Sequence, residues 1–122
     1  MPSLATSAQG MATQQKFIEV IAANIANAQT TRTADGGPYR RQIAVADASA
    51  GATQTQVESD PNPGRLVYDP GHPDANTDGF VQYPNVDTNT EIVDLMIARR
   101  MHEANATVFQ AAKSMLRRAL EI

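Results

Sequence analysis

The last third of the chain limits its fold most strongly, because residues 88–122 have the pattern of one long amphipathic helix. Apolar residues recur there at alternating spacings of four and three, as in helices that pack against other helices. This heptad series consists of Ile97, Met101, Ala104, Val108, Ala111, Met115 and Ile122, and it is broken once by Arg118. At ~1.5 Å of rise per residue the helix is about 50 Å long. We therefore predict an elongated molecule.

The same helix has a second apolar side. It consists of Ile92, Leu95, Phe109, Ala112, Leu116 and Leu120. A helix that is apolar on two sides is usually buried on two sides. We predict that the heptad series packs on the chain's own first helix, and that the side from Phe109 to Leu116 contacts other subunits.

The start of this helix is marked by a capping pattern. Thr88 and Glu91 have the spacing of a capping box, in which the Thr88 hydroxyl accepts from the Glu91 amide and the Glu91 carboxylate reaches back. Pro84 lies just upstream and disfavours an earlier start. The sequence thus predicts a helix beginning at Thr88.

A second helix is predicted from Ser3 to Ala28. Its apolar residues recur at intervals of seven, at Leu4, Met11, Ile18 and Ile25. Near its end, Asn27 has the residue type of a helix C-cap. Asn24 has two interpretations: it fixes the register between packed helices, or it is a solvated residue. We expect this helix to pair with the C-terminal one.

The middle of the chain has short strand patterns separated by turns. We predict strands at 39–45, 65–68 and 79–83, with the last two forming a hairpin across a structured loop. Residues 46–56 lack a hydrophobic period and are interpreted as a flexible loop. The predicted fold is therefore mainly α with a small β-rich insertion. Its segments are an N-terminal helix (1–31), a middle segment (32–86) and a C-terminal helix (87–122), with the two helices paired as a coiled-coil-like hairpin.

Composition argues against several classes of protein. The chain has no cysteine, so disulfides, thiolate metal sites and cysteine nucleophiles are excluded. Glycines form no phosphate-binding loop and serines lie in no nucleophile motif, so we expect no enzyme, no cofactor and no small-molecule substrate. The net charge is −3 and no basic stripe alternates with aromatic residues, so nucleic acid is not an expected partner. The N-terminus also lacks the pattern of a cleavable signal peptide.

One loop offers an alternative function. Residues 74–79 read D-x-N-x-D-G, the opening of a calcium-binding loop, with possible oxygen ligands on Asp74, Asn76 and Asp78. The twelfth position holds Asn85, where a bidentate glutamate is required. The alternative is a small monomeric binding module with a two-helix stem whose 74–79 loop binds calcium or another ligand.

Several motifs together resemble a known family. They are Ala23-Asn24-Ile25-Ala26-Asn27 with Thr30-Thr31, Gly36-Gly37-Pro38-Tyr39-Arg40-Arg41, Tyr68-Asp69-Pro70-Gly71-His72-Pro73-Asp74-Ala75, Gly79-Phe80-Val81, Pro84-Asn85-Val86, Glu103-Ala104-Asn105 and Ala112-Lys113-Ser114-Met115. In content and order they resemble the axial proteins of the bacterial flagellum, which build its rod and hook, and among them the subunits of the proximal rod. The similarity extends over nearly the whole chain.

The resemblance implies a structural subunit of the flagellar drive shaft. Such a subunit is exported without cleavage by the flagellar type III apparatus and assembles in the periplasm, with its terminal helices as the inner layer of the rod. The implied partners are other copies of the chain, other rod subunits, the adaptor that joins the rod base to the MS ring, and the export apparatus. The residues expected in the helix seam and subunit contacts are Leu4, Met11, Ile18, Asn24, Ile25, Asn27, Ile97, Arg100, Met101, Glu103, Asn105, Val108, Phe109, Met115 and Leu116.

Overall fold

A computed structural model describes residues 2–47 and 54–121. Two long helices at the ends of the chain enclose four short strands, so the predicted class, mainly α with a small β insertion, is confirmed. The elements are α1 (Pro2–Ala26), β1 (Gln42–Asp47), β2 (Gln54–Ser59), β3 (Leu66–Tyr68), β4 (Phe80–Gln82) and α2 (Thr88–Glu121).

The helices α1 and α2 pack side by side in antiparallel directions. Gly10, in the first half of α1, lies against Asn105, and a Cβ atom added to it would be only 2.8 Å from the Asn105 amide nitrogen. Asn24, near the other end of α1, shares the lining of one cavity with Glu91, near the start of α2. The predicted helical hairpin is therefore present.

The less exposed side of α2 is not the side that we predicted to form the seam with α1. Every member of one series at alternating spacings of four and three is buried or half-buried, and we call this series the inner seam. It consists of Glu91, Leu95, Ala98, His102, Asn105, Phe109, Ala112 and Leu116. The predicted side from Phe109 to Leu116 thus lies on the less exposed side of α2, with Ala112 buried and Phe109 and Leu116 half-buried.

The described part of the predicted heptad series faces outward instead, and its last member, Ile122, lies outside the described residues. Ile97, Met101, Val108 and Met115 are between 49% and 62% exposed, and Ala104 and Ala111 between them are exposed too. We call these six residues the outer stripe. The prediction that they form the buried seam is wrong, since α2 contains two heptad series and the less exposed one has small residues (Ala98, Ala112) and polar residues (His102, Asn105) among larger apolar ones. Such residues permit the close helix approach seen at Gly10.

The start of α2 agrees with the prediction, but its cap does not. The helix begins at Thr88, and Asp87 caps it: Asp87 Oδ1 accepts from the Asn89 amide at 3.1 Å and Oδ2 accepts from the Thr90 hydroxyl at 3.1 Å. The carboxylate of Glu91 turns to Arg41 and does not reach back to Thr88. The predicted capping box is therefore wrong: the capping residue is Asp87, one position before Thr88, and the Glu91 side chain takes no part in the cap.

The middle segment contains two separate two-stranded sheets. β1 pairs with β2 in antiparallel register from Gln42 opposite Ser59 to Asp47 opposite Gln54, and this ribbon packs on α1. The predicted loop at 46–56 is thus partly wrong, because 46–47 and 54–56 lie in strands, while 48–53 are outside the described residues. β2 was missed because its sequence, Gln-Thr-Gln-Val-Glu-Ser, lacks the apolar alternation of a half-buried strand.

The predicted hairpin is confirmed. β3 pairs with β4, with Val67 opposite Val81, and the Val81 side chain is fully buried. The loop between them is structured by its own backbone: the Asp69 amide donates to the Gly79 carbonyl at 2.9 Å, and the Asn76 amide donates to the Phe80 carbonyl at 2.8 Å. Gly79 has a φ of 86°, which only glycine adopts easily.

Candidate assembly interface

Asn24 fastens the end of α1 to the first residue of β1. Its side chain is 1% exposed. The amide oxygen accepts from the Gln42 amide at 2.9 Å and from the Tyr39 hydroxyl at 2.8 Å, while its nitrogen donates to the Gln42 carbonyl at 2.9 Å. Burial, and then the nearby Glu91 carboxylate, raises the pKa of Tyr39. Asn24 is thus a fixed structural residue, but it joins a helix to a strand rather than one helix to another.

Asn27 closes the C-terminal end of α1, as predicted. Its side-chain nitrogen donates to the Ala23 carbonyl at 2.8 Å, and its backbone amide donates to the same carbonyl at 3.1 Å. The Thr30 hydroxyl donates to the Asn27 side-chain oxygen at 3.2 Å. The chain after α1 is therefore directed by its own asparagine and threonine.

The next two residues bind the loop between β3 and β4. The Thr31 hydroxyl donates to Asp74 at 2.5 Å, and Arg32 forms an ion pair with the same carboxylate at 2.6 Å. The Thr31 hydrogen bond is the main cause, and the Arg32 charge a further one, of a lowered Asp74 pKa. Residues 23–31 of the family motif therefore anchor both sheets of the middle segment.

These contacts bear on the calcium alternative. The carboxylate of Asp74 is engaged by Thr31 and Arg32, and the Asn76 side-chain oxygen accepts from the amides of Asp78 and Phe80. Among residues 2–47 and 54–121, no group of three or more His or acidic side chains is placed to hold a metal ion. The oxygens of the loop serve its own fold, so the calcium alternative has no support.

A buried ionic cluster joins the middle segment to the first turn of α2. The Arg41 Nε donates to Glu91 Oε1 at 2.5 Å, and Arg41 also pairs with Asp60 at 3.3 Å. The hydrogen bond to Glu91 is the main cause of a raised Arg41 pKa. The pKa of Asp60 is lowered, chiefly by the Asn62 amide and then by Arg41. Sequence reasoning missed this cluster, because nothing in a linear pattern connects positions 41, 60 and 91.

Gly64 is a second position that sequence reasoning missed. A Cβ atom there would lie 1.9 Å from the Tyr83 carbonyl oxygen and 2.6 Å from the Pro84 carbonyl carbon. Both obstacles are backbone atoms and cannot rotate away. Nothing in the local sequence at 61–64 connects Gly64 to the backbone at 83–84.

Large apolar side chains remain exposed on α2. In the described part of the helix they are Ile92, Val93, Met96, Ile97, Met101, Val108, Met115 and Leu120. Large contiguous apolar patches are rare on monomeric soluble proteins and mark interaction sites. A smaller exposed group, formed by Leu66, Tyr68 and Phe80, lies on the β3–β4 hairpin. Within the described residues, neither helix has the length and apolarity needed to cross a bilayer.

The residues predicted for the seam and subunit contacts therefore divide into three groups. The outward group consists of Ile97, Arg100, Met101, Glu103, Val108 and Met115, all exposed. The group on the inner seam consists of Asn105, Phe109 and Leu116, all half-buried. The group on α1 and its end consists of Leu4, Met11, Ile18, Ile25 and Asn27, which are half-buried, and Asn24, which is buried.

Comparisons with known proteins match both helices. A family model described as flagella basal body rod protein matches residues 4–32, and one described as flagellar basal body rod FlgEFG protein C-terminal matches residues 77–122. The chain is 38% identical to the flagellar basal-body rod protein FlgC of Borreliella burgdorferi, with 98% of this chain and 95% of the relative covered. Identity to FlgC of Bacillus subtilis is 36% over the same shares, and to FlgC of Salmonella typhimurium 37% over 92% and 89%.

Proposed function

Because this chain belongs to the FlgC family of flagellar basal-body rod proteins, we propose that it is a structural, non-enzymatic subunit of the flagellar rod whose outer stripe packs against neighbouring subunits. The proposed packing of the outer stripe rests on one observation. The helix α2 is already covered by α1 along its inner seam, yet a second heptad series stays exposed. Burying apolar surface stabilises association by roughly 25 cal/mol per Å². A second helix against the outer stripe is therefore the favourable arrangement.

The division of the chain supports a layered subunit. We assign the helical segments 1–31 and 87–122 to the inner layer of the rod and the middle segment, 32–86, to the outside. Asn24 joins that middle segment to α1, the Arg41–Glu91 pair joins it to α2, and Asp74 binds Thr31 just after α1. A force applied to the outer segment therefore reaches the helices through fixed polar contacts, which suits a shaft that transmits torque.

The same family membership supports further, finer assignments. The chain assembles with other rod components in the basal body, and we propose that these include further copies of itself and the adaptor at the MS ring. We also propose that it occupies the proximal rod in the periplasmic space. It reaches that space through the flagellar type III apparatus, without a cleavable signal peptide.

Substitution of an outer-stripe residue tests the packing. Val108→Asp places a charge on the stripe at a position that is 53% exposed, so folding of the isolated chain is expected to change by no more than ~0.5 kcal/mol. In a strain that has lost swimming because its own copy was deleted, this variant is expected to be exported but not to restore rods or swimming. Gln110→Asp is the matched control, because residue 110 is exposed about 200° around the helix from residue 108. Equal swimming with both variants would contradict the proposal.

A further inference from the structure

A cavity of about 320 Å³ lies between α1, β1 and α2, close to the start of α2. Much of its wall is apolar and includes Phe17, Ile21, Ile43, Ile97 and Met101. Ile97 and Met101 also belong to the outer stripe, so the mouth of the cavity opens on the surface proposed for subunit contact. A neighbour that covers the stripe also covers this mouth.

Two buried oxygen atoms on residues that line the cavity lack hydrogen-bond donors. Within the described part of the chain, Glu91 Oε2 and Gln14 Oε1 are buried and have no partner. The whole Glu91 side chain is 2% exposed, and its other oxygen already accepts from Arg41. Buried polar groups in folded proteins are nearly always paired. Within the described residues, these two oxygens therefore have no donor.

The charges around the cavity specify the kind of donor. Its ionisable lining residues are Glu91, Asp94 and Arg41, and the Arg41 guanidinium is engaged by Glu91 Oε1 and by Asp60. Asp94 forms no ion pair within residues 2–47 and 54–121. The net charge of these three residues is negative, so a cationic donor is favoured over a neutral one.

We propose that this cavity receives a lysine or arginine side chain from a neighbouring rod subunit. The aliphatic stem of that side chain lies along the apolar wall, and its charged head donates to Glu91 Oε2 and Gln14 Oε1. Long basic side chains bury their methylene groups in this way while the charged end meets polar partners. The inference rests on the proposed packing of α2 against other subunits and adds the chemistry of one contact.

Charge reversal at Asp94 is the first test. Asp94→Lys supplies a competing cation from within the chain and repels the neighbour's, so rods per cell are expected to fall about tenfold or more, as when a charge-assisted contact is lost. Asp94→Asn is expected to have a smaller effect. Glu19→Lys makes the same charge change at an exposed position on α1 that is not part of the cavity wall, and it should assemble normally. Equal assembly of Asp94→Lys and Glu19→Lys would overturn the inference.

Photo-crosslinking in assembled basal bodies is the second test, and it does not depend on how well Asp94→Lys folds. Benzoylphenylalanine is placed at Met101 or Val108 on the outer stripe, or at Gln110 as the control position outside it. The attached peptides are identified by mass spectrometry. At Met101 the attached peptide of the neighbour is expected to contain Lys or Arg within one helical turn of the attachment point. Attachment to a segment without a basic residue overturns the inference while leaving the packing of α2 intact. Absence of crosslinks to other subunits at both Met101 and Val108 would instead overturn the proposed packing.

Discussion

The Nε of Arg41 donates to Oε1 of Glu91 across 2.5 Å, although the two residues are fifty positions apart in the chain. Glu91 lies in the first turn of α2 and is almost completely buried, while Arg41 immediately precedes β1. Nearby, Asn24 joins β1 to α1. The middle segment is therefore attached to the helix pair by an ion pair and by hydrogen bonds.

Removal of Arg41 is expected to destabilise the protein strongly. Arg41→Leu leaves the Glu91 carboxylate buried without its cation, which costs about 3 kcal/mol in other buried pairs. Arg32→Leu removes a pair whose arginine is 66% exposed, so the expected cost is below about 1 kcal/mol. Urea unfolding of both variants measures the difference. The double variant Arg41→Leu, Glu91→Leu should be less destabilised than the sum of the single variants, and strict additivity would contradict the pairing.

Gly64 is expected to tolerate no side chain. Gly64→Ala places a methyl group against the backbone of Tyr83 and Pro84, so the chain must move there, at a cost of about 1–3 kcal/mol or more. Gly37→Ala is the matched control, because a Cβ atom at Gly37 has no neighbour within 4 Å. Thermal unfolding followed by circular dichroism compares the two. A melting temperature for Gly64→Ala as high as that of Gly37→Ala would show that the contact is not real.

The two apolar sides of α2 are expected to respond differently to truncation. Phe109→Ala removes a half-buried ring from the inner seam and is expected to lower the free energy of unfolding by about 3 kcal/mol. Met115→Ala acts at a residue that is 62% exposed and should change stability by less than about 0.5 kcal/mol. For assembly of the rod we expect the opposite order, because Met115→Ala leaves the chain well folded but removes an exposed contact residue. If Met115→Ala destabilised the isolated chain more, our assignment of the two sides would be wrong.

Acid is expected to weaken the attachment of the middle segment. Asp60 and Asp74 have lowered pKa values in the folded protein, so the unfolded chain binds more protons as the pH falls. Their contribution to stability is complete above the ordinary aspartate pKa of about 3.9 and is lost as the pH falls below it through the lowered values. Urea unfolding between about pH 6 and pH 3 measures how the free energy of unfolding changes with pH. Asp74→Asn should flatten the pH dependence of the free energy of unfolding, and an unchanged dependence in this variant would contradict the assignment.

Periodicity in the sequence was sufficient to predict the helices, their pairing and the β3–β4 hairpin. It did not show which side of α2 faces α1. Spacing alone does not distinguish two heptad series on one helix, and the usual preference for large apolar residues inside selected the wrong one. The deciding feature is three-dimensional: Gly10 lies against Asn105, so the helices approach closely where their side chains are small or polar.

Other features were missed because they depend on contacts between distant parts of the chain. β2 has a polar sequence and is a strand only because β1 lies beside it. Arg41, Asp60 and Glu91 belong to three separate stretches, so no local motif contains them. Asn24 was singled out from its residue type, but its partner, the backbone of Gln42, was visible only after folding.

The β1–β2 ribbon packs on α1, whereas the outer stripe of α2 has no such cover in the described chain. The helix pair therefore has one part of its surface that the ribbon covers and another part that it leaves open. A subunit of this kind is a directional building block: turning it over would place the ribbon-covered surface where its neighbours meet the outer stripe. This one-sidedness by itself would give an array of such subunits a single consistent orientation.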